Sequence, residues 1–545
     1  MIALPRTARP IVMSFMAVAL VLGALEIAFR IGRAVSGEDW RPQPYDKILH
    51  HPYPPGWKES VALKRKDGTK YVVALGDSTT RGWPYGPEAA FPAWIAAGLN
   101  DPGGAGPRVE VINLGMDSLD TGDALDILEA LAERPVDLFL VYSGHNEFTE
   151  HYLSSRSSPF MEFLQRVRSG LIEHSAAAQW LNRWANGRMR RLFETNRLNP
   201  FILLNKEYIF THDPEAALAR FPFPETERKS ILDRYLARVE AMARRAGADR
   251  ILFLPPVSNP LGLKPYRSAH AASSDEKALK EAEALSIEGF SLLDARPEEA
   301  VSRFRQSIHL DPGFALYWYG LGVACLRVGE MACVDEASEQ VIEREAVMHR
   351  LPLSFRRALI ATLDRLKVAW IDVIPALALP ESVTTPDPVA FLDFVHPHWL
   401  GHRRIAEAAL PAVATRLGLA VPSEETVRRR MDRHQQQLTE RPDWDLAVQD
   451  IPGGLGWLYL LFGNLSEAMP RLEKGIRRTP DRADFHLYLS MAYQRAGRTE
   501  EARHEAGEAF RLAPKTLGAF FGSEERFERE WIIPNKQGRP GEDRP

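Results

Sequence analysis

The sequence predicts a mostly parallel α/β sheet that is interrupted, and then followed, by all-α helical repeats. Short apolar runs that end in turn residues alternate with helical stretches from Tyr71 onward, the pattern of buried strands joined by crossover helices. A 34-residue period occurs in two places, once within that rhythm and once after it. Several strand ends carry glycine and polar residues, and ligands gather beyond the C-terminal ends of such strands. Composition agrees with this modular reading. The 545 residues, 45% hydrophobic and 26% charged, exclude a mainly disordered, collagen-like or multi-span membrane chain. At about 150 residues per domain the length allows two to four domains. The 68 Lys+Arg against 72 Asp+Glu leave a net charge of −4, so no overall positive field favours nucleic acid. Two cysteines exclude a disulfide scaffold and a multi-cysteine zinc or iron–sulfur site.

Residues 1–35 read as a signal anchor or signal peptide. The apolar segment Ile11–Leu25 continues through Glu26 to Ile31, after Arg6 and Arg9. It approaches the about 20 residues of a spanning helix if Glu26 and Arg30 sit at the far interface. Basic residues ahead of it place the N-terminus inside and the rest outside. The nearest small-x-small site, Ala34-Val35-Ser36, comes late, which favours an uncleaved anchor over a cleaved signal. The expectation is a single-pass inner-membrane protein with its folded part in the periplasm, or a secreted one if the segment is cleaved.

Residues 36–69, rich in Pro, Gly and Trp, form a linker. The first part of the α/β domain spans 70–275, with strands expected at Tyr71–Leu75, Val109–Asn113, Asp137–Tyr142 and Arg250–Leu254. Its helical insertion, 155–230, carries Arg166, Arg168, Arg183, Arg188, Arg190, Arg191 and Arg197 among aromatics and leucines. That is either a solvated helical face or a cap resting near a membrane surface. An all-α insertion fills 276–348, and the α/β domain resumes over 349–435 with a strand at Lys367–Ile374. A second repeat pair occupies 449–516, and 517–545 is a tail.

The inserted pair divides into 281–314 and 315–348, with Ala300, Phe304, Asp311 and Pro312 in the first unit and Trp318, Leu321 and Gly322 opening the second. The C-terminal pair, 449–482 and 483–516, places Leu455, Gly456, Tyr459, Gly463, Ala468 and Pro480 in its first unit, and all of these but Gly456 recur in the second as Leu489, Tyr493, Gly497, Ala502 and Pro514. Small residues let two helices approach, large ones fill between them, and Pro ends each unit. These units resemble the tetratricopeptide repeat. Cys325 and Cys333 flank the Gly329 turn of the second unit. Outside the cytosol they could bridge its two helices; two small core residues are the equal alternative.

The strand Tyr71–Leu75 runs into Gly76-Asp77-Ser78-Thr79-Thr80. A serine at a tight strand-to-helix turn exposes its hydroxyl beside backbone N–H groups, which suits a nucleophile whose intermediate carries an oxyanion. It is not the G-x-S-x-G elbow, and alone it is also common capping chemistry. Asn113-Leu114-Gly115-Met116 follows the second strand, Ser143-Gly144-His145-Asn146-Glu147 the third, and Asp393-Phe394-Val395-His396-Pro397 lies far downstream. A Ser, a Gly, an Asn and an Asp-x-x-His in that order resemble the SGNH (GDSL) hydrolase family, over roughly residues 70–260 and 365–415. The apolar N-terminal segment also resembles those of anchored members of the superfamily, and the inserted repeats a less common subgroup that combines both folds.

That resemblance implies a three-layer parallel-sheet domain and a role for each matched residue. Ser78 would be the nucleophile and would lend its backbone N–H to the oxyanion hole, with the Gly115 N–H and the Asn146 side-chain amide. Glycine at 115 would keep a side chain out of the way of the substrate carbonyl. His396 would take the Ser78 proton and return it to the leaving alcohol, and Asp393 would hold the imidazole tautomer. Glu147 stands where Asp often follows the Asn, at a position without a catalytic role. A rival metal site of Asp393, His396, His398 and His402 has ligand spacings but leaves Ser78, Gly115 and Asn146 unexplained, so neither metal nor cofactor is expected. His145 either contacts substrate or makes a local hydrogen bond, and Asn259 either lines the pocket or makes a turn.

The function expected is a membrane-anchored extracytoplasmic serine esterase. Its substrate would be a lipid, a small ester or an acetylated carbohydrate, with O-acetyl groups on an envelope polysaccharide the first candidate. Acyl transfer to a sugar hydroxyl would use the same residues. The alternative from another class is an envelope scaffold whose repeats bind a protein partner.

Overall fold

The computed structural model describes residues 63–101, 108–148, 175, 224–441, 444, 449, 451–461 and 463–532. The expected N-terminal anchor, most of the linker, nearly all of the insertion 155–230 and residues 533–545 lie outside the described residues. No helix among the described residues is long and apolar enough to cross a membrane. Apart from Ser175, the described residues belong to one compact unit, made of Pro54–Glu150 and Phe193–Pro545.

Five strands form a parallel sheet: β1 (Thr69–Gly76), β2 (Arg108–Asn113), β3 (Leu138–Tyr142), β4 (Ile251–Phe253) and β5 (Ala369–Trp370). Their order is β2-β1-β3-β4-β5. Alternate residues divide between the two faces. Val72, Ala74, Leu138, Leu140 and Leu252 join a core with the helices Phe91–Leu99, Trp399–Arg416 and Glu424–Thr439. Helices Thr121–Leu131, Glu225–Ala246 and Leu353–Leu366 pack together over the other face. A parallel sheet covered on both sides demands near-continuous apolar strands, and from Tyr71 to Gly76 β1 is wholly buried, as is β3. Pairing sets Ala74 beside Asn113 and Gly76 beside Tyr142. The C-terminal ends of β2, β1 and β3 therefore open at one level.

The fifth strand is shorter than the expected Lys367–Ile374. Lys367 takes the left-handed conformation (φ 56°) that ends the preceding helix, and Ile374-Pro375 starts the short helix Ile374–Leu377.

Between β4 and β5 the chain leaves the sheet and forms four helices, Glu276–Leu292, Pro297–Leu310, Ala315–Val328 and Met331–Arg344. Each packs on the next. Phe304 fills the space between them, and glycine is needed opposite it: a Cβ at Gly320 would lie 2.2 Å from its ring and one at Gly289 3.0 Å. Cys325 and Cys333 form a disulfide across the turn between the last two helices. The C-terminal helices Ile451–Leu461, Leu465–Arg478, Ala483–Arg495 and Thr499–Leu512 repeat this arrangement. Residues 514–531 run into the expected tail, 517–545. They add the helices Pro514–Phe521 and Glu524–Trp531, which bury Phe521, Phe527 and Trp531.

Candidate active site

At the end of β1 the backbone turns so closely past β3 that a Cβ on Gly76 would meet the Tyr142 carbonyl oxygen at 2.0 Å. The next residue, Asp77, is buried and accepts the Thr79 N–H at 2.9 Å, capping the one-turn helix Ser78–Arg81. Burial pushes the Asp77 carboxyl up to about 6, against the Thr79 hydrogen bond and the nearby His396. Gly82, left-handed at φ 91°, closes the turn with its N–H on the Ser78 and Thr79 carbonyls. Ser78 is thereby held at the first position of a tight turn, at the open end of the sheet.

The loop from Asp393 to His396 meets this turn. Ser78 Oγ lies 2.7 Å from His396 Nε2, and His396 Nδ1 lies 2.6 Å from Asp393 Oδ2. The other Asp393 oxygen accepts the backbone N–H groups of Val395 (2.9 Å) and His396 (2.8 Å). Burial alone would raise the Asp393 carboxyl, but the His396 charge and these hydrogen bonds together hold it below the usual carboxylate value. Burial would likewise lower His396. The Asp393 charge and hydrogen bond, with Asp77 and Asp117 behind them, hold its imidazole above the ordinary 6.5. The imidazolium form is therefore more stable here than on a free imidazole, which strengthens the ring as a base.

Neighbouring residues lock the loop. Thr79 donates its hydroxyl to the Val395 carbonyl at 3.1 Å, tying the two halves of the site directly. Asn259 donates its side-chain amide to the Asp393 carbonyl (2.9 Å) and its backbone N–H to that of Phe394 (2.8 Å). It is thus buried behind the loop rather than lining a pocket. Phe394 sits among Tyr266 (ring centroids 4.4 Å apart), His349 (4.5 Å) and the Arg350 guanidinium (4.9 Å). Arg350 pairs with Glu345 at 2.7 Å, both fully buried. On the open side, the Trp83 indole lies 4.6 Å from the His396 ring, tilted by 46°.

The two other expected oxyanion donors already have partners, and Gly115 packs against the turn that holds Ser78. Gly115 N–H donates to Asn113 Oδ1 at 2.9 Å, while Asn113 Nδ2 donates to the Thr80 carbonyl at 2.7 Å. Glycine at 115 has a packing reason different from the expected one: a Cβ would lie 2.3 Å from the Arg81 nitrogen. Asn146 Nδ2 gives one hydrogen to the Leu119 carbonyl at 3.1 Å, which leaves the second amide hydrogen for another acceptor. Beside it, Glu147 is buried, accepts the Thr121 N–H at 2.8 Å and pairs with Arg238 at 3.3 Å. His145 accepts the Leu351 N–H on Nδ1 at 3.2 Å, and burial pulls it down to about 3, so it is a neutral structural ring.

The histidines of the rival metal reading go elsewhere. His398 caps the helix Trp399–Arg416 by accepting the Leu400 N–H, and His402 is buried and accepts the Phe91 N–H at 3.3 Å. Sequence reasoning missed Asn113, Trp83 and Phe394. All three stood inside or next to quoted motifs, but only their contacts reveal what they hold.

The tetratricopeptide repeat family model matches residues 454–515. No curated protein matches the chain. Among solved structures, one similar to this chain is described as a lipolytic protein of the G-D-S-L family from Desulfitobacterium hafniense, at 11% identity and TM-score 0.27, covering 63% of this chain and 98% of that one. Another is a carbohydrate acetylesterase family member from Sinorhizobium meliloti, at 14% identity and TM-score 0.25, covering 64% and 100%. Likeness at this level fixes no activity.

Proposed function

We propose that the chain is a serine esterase acting through an acyl-enzyme. The observation that carries this reading is the continuous hydrogen-bonded line Ser78–His396–Asp393, with distances of 2.7 and 2.6 Å. In the first half-reaction Ser78 Oγ attacks the ester carbonyl carbon as His396 Nε2 takes its proton. The tetrahedral intermediate collapses with loss of the alkoxide, which receives that proton and leaves as the alcohol. Water then attacks the acyl-enzyme carbonyl, His396 takes a proton from it, and returns it to Ser78 Oγ as the acid departs. The second Asn146 amide hydrogen and the Ser78 N–H are the first donors to the oxyanion. Gly115 joins them by giving up its bond to Asn113. Each donor contributes about 2.7–4 kcal/mol to lowering the barrier.

The finer reading is an esterase anchored in the inner membrane and facing the periplasm, with O-acetylated envelope carbohydrate as substrate and the repeats as the surface that docks a protein partner. The apolar segment Ile11–Leu25 and the Cys325–Cys333 disulfide support an oxidising, extracytoplasmic placement.

The test is hydrolysis of short- and long-chain aryl esters by the wild type and by Ser78→Ala. Turnover that disappears in the variant supports the reading, and a preference for acetyl over long acyl chains supports the carbohydrate substrate. Turnover that survives in Ser78→Ala overturns it.

A further inference from the structure

The first helix of the C-terminal repeat pair, Ile451–Leu461, reaches the site just described. It begins Ile451-Pro452-Gly453-Gly454-Leu455-Gly456, a run of glycines that costs helix stability and calls for a packing reason. Two of the three have one inside the repeat. A Cβ on Gly453 would lie 2.4 Å from the Phe485 ring, and one on Gly456 2.6 Å from Leu472 Cγ. Gly454 is different. Among the described residues, a Cβ there would meet Cζ2 and Cη2 of Trp83, at 3.5 and 3.9 Å. The same Trp83 indole lies 4.6 Å from the His396 ring. The indole is therefore held between the histidine and the repeat.

The same helix has a second hold on the same loop. Tyr459, five residues further on, is buried and donates its hydroxyl to the Lys264 carbonyl at 3.1 Å. Its ring lies 5.1 Å from Tyr266, which in turn packs on Phe394. Lys264 pairs with Glu467 of the next repeat helix at 3.1 Å. Phe394 lies between Asp393 and His396, so both contact lines end on the residues flanking the reactive imidazole.

We infer that the C-terminal repeat pair is a working part of the active site: through Gly454 and Trp83 it forms the wall against which His396 is positioned. This rests on the serine esterase reading. Trp83 is then a positioning residue at the site's open side, and a ligand that shifts the helix Ile451–Leu461 changes turnover at Ser78.

The experiment uses the full chain and measures the rate at which a fluorophosphonate probe labels Ser78, with kcat and KM for an aryl acetate. In Gly454→Leu the added side chain extends towards Trp83 and presses the indole onto His396. Labelling and kcat are expected to fall by roughly tenfold or more, since displacements of about 1 Å cost up to about 100-fold, with an unchanged melting temperature. Gly507→Leu, in the neighbouring unit with nothing among the described residues within 4 Å of its Cβ, is expected to label like the wild type. Trp83→Ala withdraws the wall from the other side and is expected to lower kcat more than it alters KM. It decides the matter if Gly454→Leu loses stability. Wild-type rates in both Gly454→Leu and Trp83→Ala overturn the inference while leaving the esterase standing. A wild type that does not label at Ser78 overturns the esterase and the inference with it.

Discussion

His396 holds the balance of charge at the centre of the site, because Asp393, the carboxylate that raises its imidazole most, also orients it. Its folded value lies above 6.5, and the neutral ring is the base, so kcat/KM should fall as pH drops through a value above 6.5. Asp393→Asn removes the largest raising influence. The acid limb should then move to lower pH, while the rate falls by on the order of 10³–10⁴-fold as the tautomer is lost. A pH–rate profile of both proteins checks this, and an unmoved limb would assign the titration to another group. Much of this was legible in the sequence, since Ser78, Asp393 and His396 stood in motifs whose spacing has a chemical reason. The supports were not. Asn259 and Asn113 act through hydrogen bonds to backbone carbonyls of segments remote in sequence, and no local pattern encodes such partners.

Among the elements, Glu147 joins the end of β3 to the helices Thr121–Leu131 and Glu225–Ala246 through Thr121 and Arg238. Burial, then the Asp120 charge, push its carboxyl up to about 7, against the Thr121 and Arg238 contacts. A folded value above the ordinary 4.5 favours the protonated form, so its stabilisation is full below 4.5 and lost as pH rises through about 7. Melting temperature against pH should accordingly decline more steeply for the wild type than for Glu147→Gln across this window; parallel curves would contradict it. In the inserted repeats, Cys325 and Cys333 close a loop of sequence separation 8, worth about 2–3 kcal/mol in the chain-entropy view. The Cys325→Ala/Cys333→Ala double variant should lose about that much in denaturant unfolding, and an unchanged midpoint would show that the helices alone hold the turn. Element types were readable because buried strands and 34-residue units have different periods. The shortness of β5 was not, because apolar runs alone do not show where Lys367 ends one helix and Ile374-Pro375 starts another.

At the scale of the whole molecule, the repeats leave the sheet between β4 and β5 and return after Thr439, and both pairs come back to the Asp393–His396 loop. Glu345 and Arg350, just past the inserted helices, support Phe394 from one side, and Tyr459 approaches from the other. The sequence showed two folds side by side; that they share one site depends on contacts across hundreds of residues. The proposed placement outside the cytoplasm is tested at this scale too. A reporter enzyme that requires disulfides, fused to the C-terminus of the full chain, should be active in the periplasm, and activity only of a cytosolic reporter would contradict the proposed topology. The central claim is covalent catalysis at Ser78. Its most direct test is the mass of the full-length protein, and of its Ser78 peptide, quenched within the first turnover of an aryl acetate. One acetyl group on the Ser78 peptide of the wild type and none on Ser78→Ala is the predicted result. Turnover without acetylation at Ser78, or acetylation at another residue, would contradict it.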